Sequence, residues 1–154
     1  MVDEVTIAIC NFNTTELTNN CIKSVIAKVK SFPFKIIVLD NSDVEKFKLD
    51  PSVNMSVVTV LDNTAGKYID FNKFVLQTFT TRSHNNHGSA KHCFSVQYLI
   101  NICTTKHMIL LDSDTIVKRD LNIVDESIIT CADTQQRSLD FRRTPYACRF
   151  TPFV

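Results

Sequence analysis

The stretch His107-Met108-Ile109-Leu110-Leu111-Asp112-Ser113-Asp114 decides the fold prediction for this chain. Four apolar residues lead directly into two aspartates, and a short continuous apolar run is typical of a strand buried on both faces of a parallel sheet. Such strands deliver their last residues to the crevice in which α/β proteins bind ligands. Asp112 and Asp114 therefore stand where their carboxylates can ligate a hard divalent cation.

Three more segments have the composition of strands. Residues 5–10, 34–40 and 57–61 are short, apolar and rich in β-branched side chains. Apolar positions at helical spacing predict one helix over about residues 15–30 and another, capped by Ser89, that ends near residue 103. The order strand, helix, strand, strand, helix, strand predicts an α/β fold, a Rossmann-like α/β/α sandwich with a mostly parallel sheet.

Each predicted helix has one apolar face that we expect to pack inward. On the first helix this face comprises Leu17, Cys21, Ile22, Val25, Ile26 and Val29. On the second helix it comprises Phe94, Val96, Leu99, Ile100 and Cys103.

Length and composition exclude several classes of protein. The 154 residues suffice for one domain, and a net charge of +1 leaves no electrostatic footprint for nucleic acid. No apolar run is long enough for a transmembrane helix, and the acidic start, Met1-Val2-Asp3-Glu4, does not resemble a signal peptide. We therefore expect a cytoplasmic protein, with peripheral attachment to a membrane left open.

The counts of cysteine and glycine exclude two kinds of site. None of the six cysteines forms a C-x-x-C pair, so we expect reduced, partly buried thiols instead of a zinc or redox motif. With only two glycines, the chain contains neither a G-x-G-x-x-G nor a Walker A phosphate loop.

Polar residues follow three of the predicted strands: Asn11-Phe12-Asn13, Asp40-Asn41-Ser42 and Asp112-Ser113-Asp114. We expect these strand ends to meet at one edge of the sheet. Together with Asn86-x-Gly88-x-Ala90-Lys91-His92, their order and spacing resemble the nucleotide-binding half of a GT-A-type glycosyltransferase, close to the large inverting family 2. The resemblance covers about residues 5–120 and implies the GT-A nucleotide-diphospho-sugar transferase fold.

The resemblance also implies a role for each matching residue. Nucleotide contacts would come from Asn11, Phe12, Asn13, Asp40, Lys91 and Asp112. Phe12 and the backbone around Asn11 would line the base pocket, and Asp40 would bond the base or ribose. Asp112 would reach the ribose or metal-bound water, and Asp114 would ligate Mn²⁺ or Mg²⁺ bridging the diphosphate. Lys91, which replaces a common arginine, can meet a phosphate but not bidentately.

The activity that the resemblance implies is transfer of a hexose from a UDP-sugar to a saccharide or another hydroxyl acceptor. The catalytic base is not identified, because only 40 residues follow Asp114. We interpret residues 1–120 as the nucleotide-sugar-binding core and residues 121–154 as a short or truncated acceptor side of the same domain. The apolar end, residues 146–154, predicts either self-association as a homodimer or a donor-binding half with little transfer activity.

Two other functions remain open. Asp112-Ser113-Asp114-Thr115 matches the nucleophile motif of haloacid dehalogenase-like phosphohydrolases, although that motif normally opens its domain. A non-catalytic nucleotide-binding module is the second alternative. His84, His87 and His92 lack an acid or cysteine that would complete a metal site, so we interpret them as incidental.

Overall fold

A computed structural model describes residues 4–71 and 87–121 of the chain. The chain divides into two compact units, residues 1–122 and 123–154, and all described residues belong to the first. The predictions for the acceptor side and for a dimer interface near the end of the chain therefore lie outside the described residues. Among the described helices, none combines the length and apolar character needed to cross a bilayer.

The described residues form four strands and two α-helices. In chain order these are β1 (Val5–Asn11), α1 (Thr15–Lys28), β2 (Phe34–Asp40), a 3-10 helix (Met55–Val57), β3 (Val58–Asp62), α2 (His87–Ile102) and β4 (His107–Asp112). All strand pairs are parallel, and the strand order is β3-β2-β1-β4. The predicted α/β class and parallel sheet are confirmed, and the arrangement is compatible with a Rossmann-like fold.

The core is built around β1, which is buried on both faces. Ala8 packs in a cluster with Leu39 of β2 and Leu99 of α2, so this side of the sheet is covered by α2. Because side chains alternate along a strand, the fully buried Ile7 and Ile9 face the opposite side. That side is covered by α1, which contacts β1 and buries Cys21, Ile22 and Val25.

The register of the sheet brings the carboxyl ends of the strands to one edge. Asn11 of β1 lies opposite Asp40 of β2, and Cys10 of β1 lies opposite Asp112 of β4. The prediction that these strand ends converge is confirmed. Parallel pairing is the physical reason, because every strand then ends on the same side.

One prediction about β4 is wrong. The strand forms where expected, but it is not buried on both faces: its residues are half-buried or exposed, and Leu110 is 38% exposed. β4 lies at the border of the described sheet, whereas β1 lies between two neighbours. The strand that is buried on both faces is β1 and not β4.

Three predictions about the helices are also wrong. Leu17 and Ile100, both expected inside, are 46% and 38% exposed. Leu17 lies in the first turn of α1, beyond the part of the helix that packs on the sheet. The second helix begins at His87 and not after Ser89, so Ser89 lies within it.

Candidate functional site

The strand order places a switch point between β1 and β4. From β1 the chain adds β2 and β3 on one side of the sheet, and it then returns to add β4 on the other side of β1. Helices that follow such neighbouring strands diverge, which leaves a crevice at the carboxyl edge where α/β proteins bind ligands. This position predicts a ligand site between the end of β1 and the end of β4.

A cleft of about 590 Å³ lies at this switch point. It receives residues from the ends of β1 and β4, from the turn after β2, and from both helices. The lining residues are Cys10, Asn11, Phe12, Thr14, Leu17, Asn41, Lys91, His92, Ser95, Asp112, Ser113 and Asp114. A volume of several hundred Å³ is within the range of small-molecule and cofactor sites.

The β4 side of the cleft is acidic and open to solvent. Asp112 and Asp114 are exposed, and neither carboxylate accepts a hydrogen bond from the described residues. The turn that carries them is held by a backbone hydrogen bond from Thr115 N to Asp112 O (3.0 Å) and by a hydrogen bond between the hydroxyls of Thr14 and Ser113 (3.1 Å). Two carboxylates are thus presented on an ordered turn with their oxygen atoms free for a ligand.

Lys91 and the aromatic ring of Phe12 line another part of the cleft. The Nζ atom of Lys91 lies 5.7 Å from the centre of the Phe12 ring and 5.6 Å from that of Phe71, within the range of a cation–π contact. Phe12 is 47% exposed, and Lys91 takes part in none of the ion pairs formed among the described residues. The cleft therefore contains a cation that forms no ion pair with the described residues and an aromatic ring that is about half exposed.

Asp40 is built into the edge of the sheet beneath the cleft. It is 1% exposed and does not line the cleft. Its Oδ1 atom accepts hydrogen bonds from Asn11 Nδ2 (2.8 Å), Ser42 N (3.1 Å) and Ser42 Oγ (2.6 Å), and its Oδ2 atom accepts one from Phe47 N (2.7 Å). A buried carboxylate with four donors is fully engaged in shaping the two loops around it.

Asn11 extends this network towards α1. Its Oδ1 atom accepts hydrogen bonds from the hydroxyls of Thr14 (3.0 Å) and Thr18 (2.7 Å), while its Nδ2 atom donates to Asp40 and to Ser42 Oγ (3.0 Å). The side chain is fully buried and lines the cleft from below. It fixes the start of α1 to the ends of β1 and β2.

Asn13 binds the neighbouring loop and does not line the cleft. It adopts a left-handed backbone conformation (φ 55°), which asparagine tolerates better than most residues. Its Oδ1 atom accepts hydrogen bonds from Asp43 N and Val44 N, both at 3.2 Å. Asn13 therefore connects the β1–α1 turn to the loop after β2.

The thiol of Cys10 lies in the cleft, opposite Asp112 in the sheet register. Burial, and secondarily the negative charge of Asp112, raise the pKa of Cys10 to about 12. The thiolate is the nucleophilic form of cysteine, so these surroundings do not activate the Cys10 thiol.

Most of the residues predicted for the site do meet in the cleft: Asn11, Phe12, Lys91, Asp112 and Asp114 line it, whereas Asn13 and Asp40 do not. The lining residues that were not predicted for the site are Cys10, Thr14, Leu17, Asn41, His92, Ser95 and Ser113. Helical spacing could have found Ser95, because it follows Lys91 by four residues. His92 lines the cleft, and the described residues contain no cluster of three potential metal ligands.

No protein-family model matches the chain, and no curated protein or solved structure matches it either. A function is therefore inferred from the chemistry of the cleft and from the sequence pattern.

Proposed function

We propose that this protein is a GT-A-like glycosyltransferase that binds a nucleotide-diphospho-sugar, in particular a UDP-sugar. One observation carries the proposal: an Asp-x-Asp turn, a lysine and an exposed aromatic ring line a single cleft at the switch point of a parallel sheet. An aromatic ring can stack on a base, and a lysine can bind a phosphate as a point charge.

The acidic turn suits a divalent cation held jointly with a phosphorylated ligand. Mg²⁺ is commonly bound by one or two carboxylates together with substrate phosphates and water, and Asp112 and Asp114 offer that number. When bound, Mn²⁺ or Mg²⁺ would neutralise charge that develops on the departing diphosphate.

The chain's own residues would hold the donor in a defined direction. Asp112 ends β4 and Asp114 follows it, while Phe12 follows β1, the next strand in the sheet. A nucleotide with its diphosphate at the acidic turn would place its nucleoside over Phe12 and towards β2. Lys91, beside Phe12, would then neutralise part of the phosphate charge.

The acceptor is a saccharide or another hydroxyl compound in this proposal, and the described residues supply no assigned base. A donor-binding module without transfer activity is the alternative that the same cleft supports. The proposed location is the cytoplasm, where reduced thiols are expected, and the four described cysteines, Cys10, Cys21, Cys93 and Cys103, are free.

A thermal-shift assay tests the binding part of the proposal. UDP with Mn²⁺ should raise the melting temperature of the full chain by mass action, and EDTA should remove the gain. Asp114→Asn should abolish the metal-dependent part without unfolding the protein, because Asp114 is exposed. A metal-dependent shift of the same size in Asp114→Asn would refute the assignment of the cation site.

Turnover separates the remaining functions. Transfer from labelled UDP-sugars would support the glycosyltransferase, and binding without transfer would support the module. Burst release of phosphate from a generic phosphate ester would instead support the haloacid dehalogenase-like phosphohydrolase.

A further inference from the structure

Asn41 is the first residue after β2, and it lines the cleft. It is half-buried and lines the cleft, whereas Asp40 before it is buried and engaged by four donors. The backbone N–H of Asn41 donates to the carbonyl of Asn11 (2.9 Å), which seats Asn41 beside the end of β1. A ligand in the cleft therefore meets an amide from this strand and not a carboxylate.

The amide of Asn41 is fixed in one orientation. Its Oδ1 atom accepts a hydrogen bond from Asn63 Nδ2 (2.9 Å), and its Nδ2 atom donates to Ser95 Oγ (2.9 Å). A flipped amide would place two NH₂ groups against each other at Asn63. It would also face an Oγ atom whose hydrogen is already donated to Lys91 O (2.7 Å).

The two fixing residues are themselves oriented by the backbone. Asn63 is 3% exposed, and its Oδ1 atom accepts hydrogen bonds from Tyr68 N and Ile69 N, both at 2.8 Å. Its Nδ2 atom must therefore be the one that faces Asn41. Ser95 is fully buried, so neither partner is free to turn and accommodate a reversed amide.

The amide keeps hydrogen-bonding capacity for a ligand. An asparagine side chain has two donor hydrogens and two acceptor lone pairs, and the contacts to Asn63 and Ser95 use one of each. One donor and one acceptor remain, at positions that the network determines. A fixed donor–acceptor pair can distinguish ligands whose own donors and acceptors are reversed.

The position of Asn41 in the sheet indicates which part of a ligand it meets. Asn41 follows β2, and the acidic turn follows β4, with β1 between them. Neighbouring strands are about 4.8 Å apart, so the two elements are separated by roughly 10 Å. In the proposed binding mode, a nucleoside diphosphate with its phosphates at the acidic turn would extend its base towards Asn41.

We infer that the fixed amide of Asn41 reads the base of the nucleotide and selects a keto base, uracil, over an amino base, cytosine. This inference rests on the proposed function. Uracil presents an N–H donor between carbonyl acceptors, whereas cytosine presents an amino donor next to a ring-nitrogen acceptor. An amide that cannot flip satisfies only one of these patterns. The UDP donor of the proposed function makes uracil the matching base, and cytosine would then leave polar groups unpaired.

Calorimetry with UDP and CDP in the presence of Mg²⁺ tests the inference on the full chain. We expect the wild type to bind UDP about tenfold or more tighter than CDP, the range for a two-bond base contact. Asn41→Asp replaces the NH₂ group with an oxygen, which removes the free donor and also the hydrogen bond to Ser95 Oγ, so the UDP/CDP affinity ratio should fall about tenfold or more. The added negative charge weakens the binding of both nucleotides alike, so its effect cancels in the affinity ratio.

Two further variants keep the test decisive. Asn101→Asp adds the same charge at an exposed position near the end of α2. The new carboxylate can still accept the hydrogen bond from Gln97, and the UDP/CDP affinity ratio should stay unchanged. Asn41→Ala should bring the UDP/CDP affinity ratio close to one. This variant replaces Asn41→Asp in the test if circular dichroism shows that Asn41→Asp does not fold.

An unchanged ratio in a folded Asn41 variant that still binds UDP would overturn the inference alone. A wild-type chain that binds neither UDP nor CDP would overturn the proposed function and this inference with it.

Discussion

Asp40 ends β2 and Asp112 ends β4, at the same edge of the sheet, yet their surroundings are opposite. Asp40 is 1% exposed and accepts four hydrogen bonds, whereas Asp112 is exposed and its carboxylate accepts none from the described residues. The β1–β2 side of the edge is therefore a structural scaffold, and the β1–β4 side is open for a ligand. An aspartate at a strand end is thus not by itself a sign of a binding residue.

The largest expected effect is on stability. Asp40→Ala leaves the donors of Asn11, Ser42 and Phe47 unpaired in a buried site, so the free energy of unfolding should fall by about 3 kcal/mol or more. Asp112→Ala removes an exposed side chain and should change it by no more than about 0.5 kcal/mol. Urea denaturation measures both variants. Equal effects of the two substitutions would break the distinction between scaffold and open site.

The next effect is on binding. Lys91→Ala should weaken UDP binding about tenfold or more, the range for a hydrogen bond to a charged group. Lys67→Ala provides a matched control, because Lys67 makes a similar contact with the Tyr68 ring (5.0 Å) but does not line the cleft. Calorimetry with UDP and Mg²⁺ compares the two. Similar losses in both variants would indicate a general loss of positive charge instead of a contact in the cleft.

A smaller effect concerns pH. Burial, with lesser contributions from the charges of Asp114 and Asp112, raises the pKa of the Cys21 thiol from 9.0 to about 11. The unfolded chain then releases this proton at a lower pH than the folded chain, so the contribution of Cys21 to stability is complete below pH 9 and is lost as pH rises to about 11.

Cys21→Ala isolates this contribution. The free energy of unfolding of the variant should fall less steeply than that of the wild type between pH 9 and 11. Parallel pH profiles, measured by urea denaturation at each pH, would contradict the raised pKa.

The fold was predictable from the sequence because its signals are local. Short apolar runs gave all four strands within about one residue, and parallel pairing then placed their ends at one edge. The burial of β4 was not predictable in the same way. An apolar run does not reveal whether its strand has one neighbour or two, and β4 has one among the described strands.

The site was predictable only in part, for the same physical reason. Which of two adjacent residues after a strand faces the cleft depends on the path of the following loop. Here the loop returns so that Phe47 N reaches Asp40, and Asn41 turns towards the cleft and Ser95. Such contacts join residues 7 and 54 positions apart, and a single sequence read for local patterns does not contain them.

Chemical-shift mapping tests the central claim most directly, because it locates a ligand without a substitution. Addition of UDP and Mg²⁺ to the ¹⁵N-labelled full chain should shift the backbone signals of Phe12, Lys91, Ser113 and Asp114, which surround the cleft between β1 and β4. Thr105 and Lys106, which precede β4 at the opposite end of the sheet, should not move. Shifts confined to that opposite end, or no shifts at saturating UDP, would contradict the account.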